Sequence, residues 1–280
     1  MTIKKSVLNE EYSSELVNST QSGDGFPVIL VHGLAASIYD WNDLIPDLAK
    51  EGYAHYALDL LGHGLSYKPD HSSDYNISNV IAHFEGWISS LKLNKPVIII
   101  GHSLGAYIAI KYSLQFPERV ASLVLCDPFY SFHQLPFLLR LNYRYSIFDI
   151  AMIESVPEWL IKIIIDVTSV SIRNGYELPE SVRKQTASDY KRAEPRIFNI
   201  VHTIEDLTPS LQWIKQPTLI IWGEHDQTLN LKSFDTLSRK IPDAKSHVVM
   251  GAGHVPHQSH PAIFNKIVLD FFNTLSLGYK

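Results

Sequence analysis

The residue of this chain best suited to act as a nucleophile is a serine flanked by glycines. Ser103 is the centre of GHSLG, residues 101–105, which follows the apolar run PVIII and precedes a segment with helical periodicity. Glycine two residues to either side permits a tight turn from strand to helix that exposes the hydroxyl. A glycine-rich turn whose serine caps the helix is the simpler interpretation, but the flanking strand and helix favour a nucleophile.

A serine hydroxyl is a weak nucleophile at neutral pH, so it needs a nearby base and a carboxylate that orients the base. His254 ends the sequence GAGH, directly after the apolar run KSHVVM. Asp226 ends the sequence WGEHD, shortly after the run PTLII. Because the carboxyl ends of parallel strands meet at one edge of a sheet, both side chains are expected near the serine. We therefore predict His254 as the general base and Asp226 as the orienting acid.

Three other carboxylates follow predicted strands and compete with Asp226 for the role of acid. They are Asp59, Asp127 and Glu224. Aspartates at strand ends often cap turns or face water, so position alone leaves these alternatives open. Asp127 is the reserve candidate.

Six short apolar runs predict the strands that position these residues. They are Pro27 to Val31, Tyr53 to Leu60, Pro96 to Ile100, Val120 to Cys126, Pro217 to Trp222 and Lys245 to Met250. Such runs are typical of strands buried on both faces, and helical periodicity lies between them at 76–91 and 104–116. We predict an α/β fold with a mostly parallel central sheet and helices on both faces. The turn sequence SGDG at 22–25 predicts a leading antiparallel hairpin.

The alternation of strand and helix stops after Cys126 and resumes at Pro217. The stretch between contains helical patches and no convincing strand; the patches are Leu135 to Arg144, Pro157 to Val167 and Ser181 to Ala193. We predict a core domain of residues 1–127 and 211–280 and a helical cap, or lid, of residues 128–210. If the leading hairpin supplies two strands, the cap follows the sixth strand of the sheet. The predicted cap connects to the core domain at the edge of the sheet where open α/β sheets bind ligands.

Composition restricts the classes of function. The net charge is -5 and no block of lysine and arginine is present, so no nucleic-acid partner is expected. The single cysteine, Cys126, excludes an internal disulfide and a multi-cysteine metal site. No apolar stretch is long enough for a membrane span, and the first residues lack the apolar core of a signal peptide, so a cytoplasmic protein is expected. The oligomeric state is not predicted.

The motifs taken together resemble one known superfamily. They are VILVHGLAAS from Val28, DLLGHGLS from Asp59, GHSLG, WGEHD and GAGH. These motifs, and the chain order of serine, aspartate and histidine, resemble the α/β-hydrolase fold superfamily over about residues 27–272. The resemblance implies an oxyanion hole formed by the backbone N–H groups of Leu34 and Leu104. Core packing is the alternative role of both leucines, and the two roles are compatible.

The type of nucleophile narrows the reaction that the resemblance implies. Dehalogenases and epoxide hydrolases of the superfamily carry aspartate at the position of Ser103, whereas a serine forms an acyl intermediate. We expect a serine hydrolase that cleaves a carboxylic ester, or a related acyl bond, of a small apolar substrate with water. The alternatives are a carbon–carbon bond hydrolase or hydroxynitrile-lyase-like enzyme with the same three residues, and a non-catalytic ligand-binding protein on the same fold.

The pocket candidates come from two loops and the start of the cap. They are His32, His102, Phe129 and Tyr130. The two aromatic residues begin a cluster that is suited either to an apolar pocket or to the core of the cap.

Neither a metal nor a cofactor is expected. The histidines at 254, 257 and 260 are interrupted by prolines and match no metal-binding spacing. The sequence GHGLSY at 62–67 begins like a dinucleotide-binding loop but lacks its third glycine.

Overall fold

The computed structural model describes residues 16–137, 140 and 178–276. In this part of the chain a seven-stranded sheet has the order β1-β3-β2-β4-β5-β6-β7. The strands are β1 (Ser19–Ser22), β2 (Phe26–Val31), β3 (Tyr53–Leu58), β4 (Val97–His102), β5 (Val120–Cys126), β6 (Thr218–Gly223) and β7 (Ala244–Val249). β1 is antiparallel to β3, and all other neighbours are parallel. The predicted α/β fold class is confirmed.

All six predicted strands are present, with ends shifted by at most two residues. The turn at 22–25 connects β1 to β2, but β1 pairs with β3, so that Ser19 lies opposite Leu58. Any earlier strand of the predicted leading hairpin lies outside the described residues. The strand that ends at Cys126 is the fifth of those described, so its place as the sixth strand of the whole chain stays a prediction.

Helices cover both faces of the sheet. They are α1 (Ile45–Lys50), α2 (Ile77–Ser90), α3 (Leu104–Gln115), α4 (Glu180–Arg192), α5 (Lys232–Lys240), α6 (Pro256–Ser259) and α7 (Pro261–Phe272). Short 3-10 helices lie at Ile38–Trp41, Ser72–Asp74, Pro117–Arg119, Phe132–Gln134, Pro195–Thr203 and Leu211–Trp213. The helices predicted at 76–91 and 104–116 are α2 and α3. Within the described ranges, none of the helices has the length and apolar character needed to cross a membrane.

The strands are apolar at consecutive positions because the sheet is buried on both sides. In β4, Ile99 belongs to one hydrophobic core, and Ile98 and Ile100 belong to the other. The first core packs α2 and α3 against the sheet and includes Phe84. The second packs α1 and α7 against the opposite face and includes Phe264. The side chains that alternate along each strand therefore hold both helical layers to one sheet.

The described part of the predicted cap is helical. The patch Ser181 to Ala193 corresponds to α4, which the 3-10 helix Pro195–Thr203 follows. Most of the patch Leu135 to Arg144, and all of Pro157 to Val167, lie outside the described residues. Between residues 128 and 217, the part of the chain that the structure describes contains no strand. The cap boundaries at 128 and 210 remain predictions.

Two glycines allow the β4–α3 turn to pack tightly. A Cβ atom at Gly105 would lie 2.1 Å from the carbonyl oxygen of Val31, and one at Gly101 would lie 2.5 Å from the backbone of Gly105. Neither position has room for a side chain, so the first turn of α3 lies directly against β2 and β4. Ser103 has φ 49° and ψ -110° in this turn. That conformation costs a non-glycine residue on the order of 1–3 kcal/mol, which the surrounding packing must offset.

We expect Gly105→Ala to lower the free energy of unfolding by about 3 kcal/mol, because the new methyl group meets backbone that cannot move aside. Gly86→Ala is the matched control, since Gly86 lies inside α2 with no atom within 4 Å of its added Cβ. Alanine in a helix is more stable than glycine by roughly 0.5–1 kcal/mol, so the control should gain stability. Urea unfolding followed by tryptophan fluorescence measures both, and equal midpoints would contradict the packing at Gly105.

Candidate active site

Ser103 lies at the carboxyl end of β4, at the N-cap position of α3, and its side chain makes no capping hydrogen bond to that helix. Its amide donates a hydrogen bond to the carbonyl of Cys126 at 2.9 Å. Its own carbonyl accepts from the amides of Ala106, at 3.1 Å, and Tyr107, at 3.2 Å. These bonds hold the turn on both sides. The Oγ atom of Ser103 lies 3.1 Å from Nε2 of His254.

His254 comes to the serine from the loop that follows β7. This loop is tied to the loop after β6, because the amide of His225 donates to the carbonyl of Ala252 at 2.8 Å. A Cβ atom at Gly223 would lie 2.0 Å from the carbonyl oxygen of Gly253, so glycine lets the two loops approach this closely. The His254 side chain is 17% exposed. The imidazole is therefore held in place, and part of it remains accessible to solvent.

Asp226 lies on the side of the imidazole away from the serine. Its Oδ2 is 2.8 Å from Nδ1 of His254, and its Oδ1 accepts from the amides of Thr228, at 2.7 Å, and Leu229, at 3.0 Å. Burial alone would raise the pKa of Asp226, but the neighbouring His254 and these hydrogen bonds lower that pKa. Since an ionised carboxylate only accepts, Nδ1 carries the proton and Nε2 of the neutral ring is free to accept from the serine hydroxyl.

Asp127, the reserve acid, lies beside Asp226. Its Oδ1 accepts from the amide of Gly223 at 3.1 Å, and its Oδ2 lies 3.6 Å from Sγ of Cys126. Burial, together with the negative charge of Asp226, raises the pKa of Asp127 well above its ordinary value. The carboxylate hydrogen-bonded to Nδ1 of His254 belongs to Asp226, and the raised pKa of Asp127 favours its protonated form.

The other two competing carboxylates bind backbone amides. Asp59 accepts from the amides of Ile38, at 2.8 Å, and Leu65, at 2.9 Å. Glu224 accepts from the amide of Gly251 at 2.9 Å. Both carboxylates therefore brace loops.

The backbone N–H groups of Leu34 and Leu104 are the oxyanion donors that the resemblance implies. Leu104 is the first residue of α3, whose N-terminal amides have no acceptor within the helix. Leu34 follows Gly33 in the loop after β2, and both leucines line the same cavity as Ser103. Among the residues that the structure describes, neither amide has a hydrogen-bond acceptor. Two unpaired donors beside a serine suit the binding of a negative oxygen.

A mostly apolar cavity of about 240 Å³ opens beside Ser103 and His254. Its apolar lining consists of Leu34, Ala35, Ala36, Leu104, Phe129, Leu135, Phe198, Val201, Ile204, Leu229 and Val255. Drug-sized ligands occupy pockets of roughly 300–1,000 Å³, so this space suits a small ligand.

Two of the four predicted pocket residues line the cavity and two do not. His102 and Phe129 line it. His32 is fully buried, its Nδ1 bonded to the carbonyl of Gly33 at 2.7 Å and its Nε2 accepting from the amide of Leu60 at 2.9 Å. Tyr130 is also buried and is absent from the lining. The prediction is corrected for both residues, because His32 braces two loops and Tyr130 packs in the core.

Sequence reasoning missed several polar residues of the cavity wall. They are Asp40, Thr186, Asp189, Thr228 and Gln258. Burial raises the pKa of Asp189 to about 7. Gln258 has one signal in the sequence, its position four residues after the predicted base. Asp40 has none, because it follows no strand and belongs to no motif.

Two groups of side chains among the described residues bring three possible metal ligands within 4.8 Å of one another. One group consists of Asp127, Asp226 and His254, whose atoms take part in the hydrogen bonds described above. The other group consists of Asp40, His102 and His257, which are all buried. The expectation that the protein uses no metal stays a prediction.

The sequence resembles one protein named for acyl chemistry and one named for its abhydrolase domain. A monoacylglycerol lipase of Mus musculus is 28% identical over 254 residues, which cover 87% of this chain and 74% of that protein. An abhydrolase domain-containing protein of Caenorhabditis elegans is 26% identical over 272 residues. The match covers 87% of this chain, which spans only 58% of the length of the nematode protein.

The fold and the sequence pattern point to the same family. The solved structure of an esterase from Exiguobacterium antarcticum superposes with a TM-score of 0.79, covering 92% of this chain and 96% of that chain at 20% identity. At that identity the likeness shows the fold alone. The family model for the alpha/beta hydrolase fold matches residues 27–178, which is more than half of the chain. This protein belongs to the α/β-hydrolase fold family.

Proposed function

We propose that the protein is a serine hydrolase that cleaves a carboxylic ester, or a related acyl bond, of a small apolar substrate. One observation carries the proposal, the continuous chain of contacts from Ser103 through His254 to Asp226, with separations of 3.1 Å and 2.8 Å. Distances of about 2.6–3.2 Å are those at which a nucleophile and its base exchange a proton. The serine lies beside a cavity that can hold the substrate. The unpaired amides of Leu34 and Leu104 can bind the negative oxygen that develops during the reaction.

The acylation step uses each group once. The Ser103 oxygen attacks the carbonyl carbon of the ester while His254 Nε2 accepts the hydroxyl proton. Asp226 stabilises the imidazolium that forms. The amides of Leu34 and Leu104 bind the oxyanion of the tetrahedral intermediate, and each such donor is typically worth about 10²- to 10³-fold in rate. When the intermediate collapses, His254 returns the proton to the departing alcohol, and the acyl group remains on the serine.

Deacylation repeats these steps with water as the nucleophile. His254 accepts a proton from water as the oxygen attacks the acyl carbon, and it returns that proton to Ser103 when the carboxylic acid leaves. The site requires no other reactant. Its chemistry therefore needs only the substrate and water.

The cavity and the relatives support acyl substrates of low polarity. Most of the lining is aliphatic or aromatic, and its volume is about 240 Å³. The monoacylglycerol lipase of mouse and Lipase 1 of Psychrobacter immobilis are named for ester cleavage, and both resemble this chain at 26–28% identity. Turnover of p-nitrophenyl esters of graded chain length, matched thioesters and amides, and a vinylogous diketone measures hydrolysis of each bond type. Release of HCN and a carbonyl compound from a cyanohydrin, which consumes no water, identifies the lyase alternative.

We expect Ser103→Ala to lower kcat on p-nitrophenyl acetate by roughly 10⁴-fold or more, because the nucleophile is lost. The variant should also fail to react with a fluorophosphonate probe, and its melting temperature should stay close to that of the wild type. Ser90→Ala is the control, since Ser90 ends α2, its hydroxyl donates to the carbonyl of Trp87 at 2.7 Å, and it does not line the cavity. Near wild-type turnover in Ser103→Ala would overturn the proposal. Folded wild type that neither reacts with the probe nor hydrolyses any ester would favour a non-catalytic ligand-binding protein.

A pair of substitutions tests the acid. Asp226→Asn should lower kcat by roughly 10³- to 10⁴-fold, because an amide cannot stabilise the imidazolium or hold the correct tautomer. Asp127→Asn should keep most of the activity, since asparagine resembles the protonated acid in shape and hydrogen bonding. Steady-state rates of both variants at the same pH decide the assignment. The reverse pattern of losses would make Asp127 the acid.

Asp127→Asn also has an expected effect on stability that depends on pH. An unfolded aspartate has a pKa of about 3.9, whereas burial raises the pKa of Asp127 in the folded chain. Above the unfolded value the folded chain holds a proton that the unfolded chain has lost, so this residue lowers the free energy of unfolding as pH rises. The neutral variant escapes this loss. Its urea midpoint should exceed that of the wild type by more at pH 8 than at pH 5, and a lower midpoint at pH 8 would contradict the protonated state.

A further inference from the structure

A buried polar cluster that the proposed reaction does not use lies in and behind the wall of the candidate active-site cavity. It consists of Asp40, His102, His257 and Gln258, and each of these residues is at most 8% exposed. The centre of the cluster is the carboxylate of Asp40, in the 3-10 helix Ile38–Trp41. A buried carboxylate destabilises the fold unless hydrogen-bond donors or positive charges compensate for the loss of water, so the partners of Asp40 decide whether this position is tolerated.

The partners of Asp40 come from three different segments of the chain. Its Oδ1 accepts a hydrogen bond from Nε2 of Gln258 at 2.8 Å. Its Oδ2 accepts from the amide of Gly33 at 3.4 Å and lies 3.4 Å from Nδ1 of His102. Nε2 of His257 is 3.8 Å from the same oxygen. The carboxylate therefore joins the loop after β2, the end of β4 and helix α6.

Each of these segments carries one part of the proposed machinery. Gly33 directly precedes Leu34, whose amide is a candidate oxyanion donor, and His102 directly precedes Ser103. Helix α6, with Gln258, follows His254 by two residues. In addition, Nε2 of His102 lies 2.9 Å from the carbonyl oxygen of His254, so this ring lies between the base loop and Asp40. Burial lowers the pKa of His102 to about 4, so the neutral ring has one proton, which it donates either to this carbonyl or to Asp40.

The electrostatics agree with a carboxylate that is held ionised by its partners. Burial would raise the pKa of Asp40, but the interactions with His102 and His257 lower it well below its usual range. A desolvated charge of this kind is sensitive to geometry, because its partners must stay in place to offset the cost of burial. Moving one of the three segments therefore disturbs the other two.

We infer that Asp40 is a positioning residue whose buried carboxylate sets the relative placement of the Leu34 amide, Ser103 and His254. This inference rests on the proposed function, because it concerns the geometry of that same reaction. Displacement of a catalytic group by about 1 Å can cost 10²-fold in rate, so a single residue that ties three segments together has a measurable effect on turnover.

The test is Asp40→Asn, which keeps the shape but replaces one acceptor oxygen by an NH₂ donor and removes the charge. We expect kcat on p-nitrophenyl acetate to fall roughly 10- to 100-fold, with KM changed less than about threefold. The rate of reaction with a fluorophosphonate probe should fall in the same proportion. Gln258→Met removes the donor to Oδ1 and keeps the side-chain length, so it should show a smaller loss in the same two rates, and it serves if Asp40→Asn does not fold.

Asp47→Asn is the matched control. Asp47, in α1, accepts from Nδ2 of Asn265 in α7 at 2.8 Å, as Asp40 accepts from Nε2 of Gln258 at the same distance, but it does not line the cavity. Its substitution should leave kcat within about twofold of wild type below the melting temperature. Equal losses of kcat in both variants, or wild-type kcat and probe rates in Asp40→Asn and Gln258→Met, would overturn the positioning role.

Two further measurements distinguish the positioning role of Asp40 from a failure of the proposed function and from a metal site. If Ser103→Ala retains activity, the proposed function is wrong. If Ser103→Ala is inactive but Asp40→Asn is fully active, only the positioning role of Asp40 is wrong. Metal analysis of wild type purified with added zinc is the second measurement, because Oδ2 of Asp40, Nδ1 of His102 and Nε2 of His257 can be metal ligands. One bound ion per chain that is absent from Asp40→Asn would make the cluster a metal site and overturn the inference, while no bound ion supports it.

Discussion

The closeness of α3 to the strands beneath it is the constraint on which the rest of the site depends. With no Cβ at Gly101 or Gly105, the helix begins against the carbonyl of Val31, and the chain turns from β4 into α3 within two residues. That turn puts Ser103 in the left-handed region and leaves the amide of Leu104 without an intrahelical acceptor. The proposed nucleophile and one proposed oxyanion donor are thus products of the same close packing.

The edge of the sheet brings together groups whose charge states must differ. Asp127 and Asp226 follow neighbouring strands, and two carboxylates this close cannot both be ionised at low cost. Asp226 has the amides of Thr228 and Leu229 and the His254 ring as partners, so it is the one that carries the charge. The partners of each carboxylate, more than its place along the chain, decide which of the two can orient the base.

The substrate space depends on the segment inserted between β5 and β6. Helix α4 and the 3-10 helix after it contribute Thr186, Asp189, Tyr190 and Phe198 to the cavity wall, opposite the loops that hold the serine and the histidine. The strand ends thus supply the proposed reacting groups, and the segment between β5 and β6 supplies part of the cavity wall. This division is general for ligand sites at the carboxyl edge of an α/β sheet.

The sequence by itself determined six of the seven described strands, the helices α2, α3 and α4, and the three residues that meet at the edge of the sheet. It could do so because strands buried on both faces are continuously apolar, and because the ends of parallel strands converge whatever the intervening chain does. Only the tertiary structure decided that burial and the charge of Asp226 raise the pKa of Asp127, that His32 and Tyr130 stay outside the cavity, and that Asp40 bonds to Gln258, 218 residues further along the chain. Those facts depend on side-chain contacts between distant segments, and no local pattern of residues encodes such contacts.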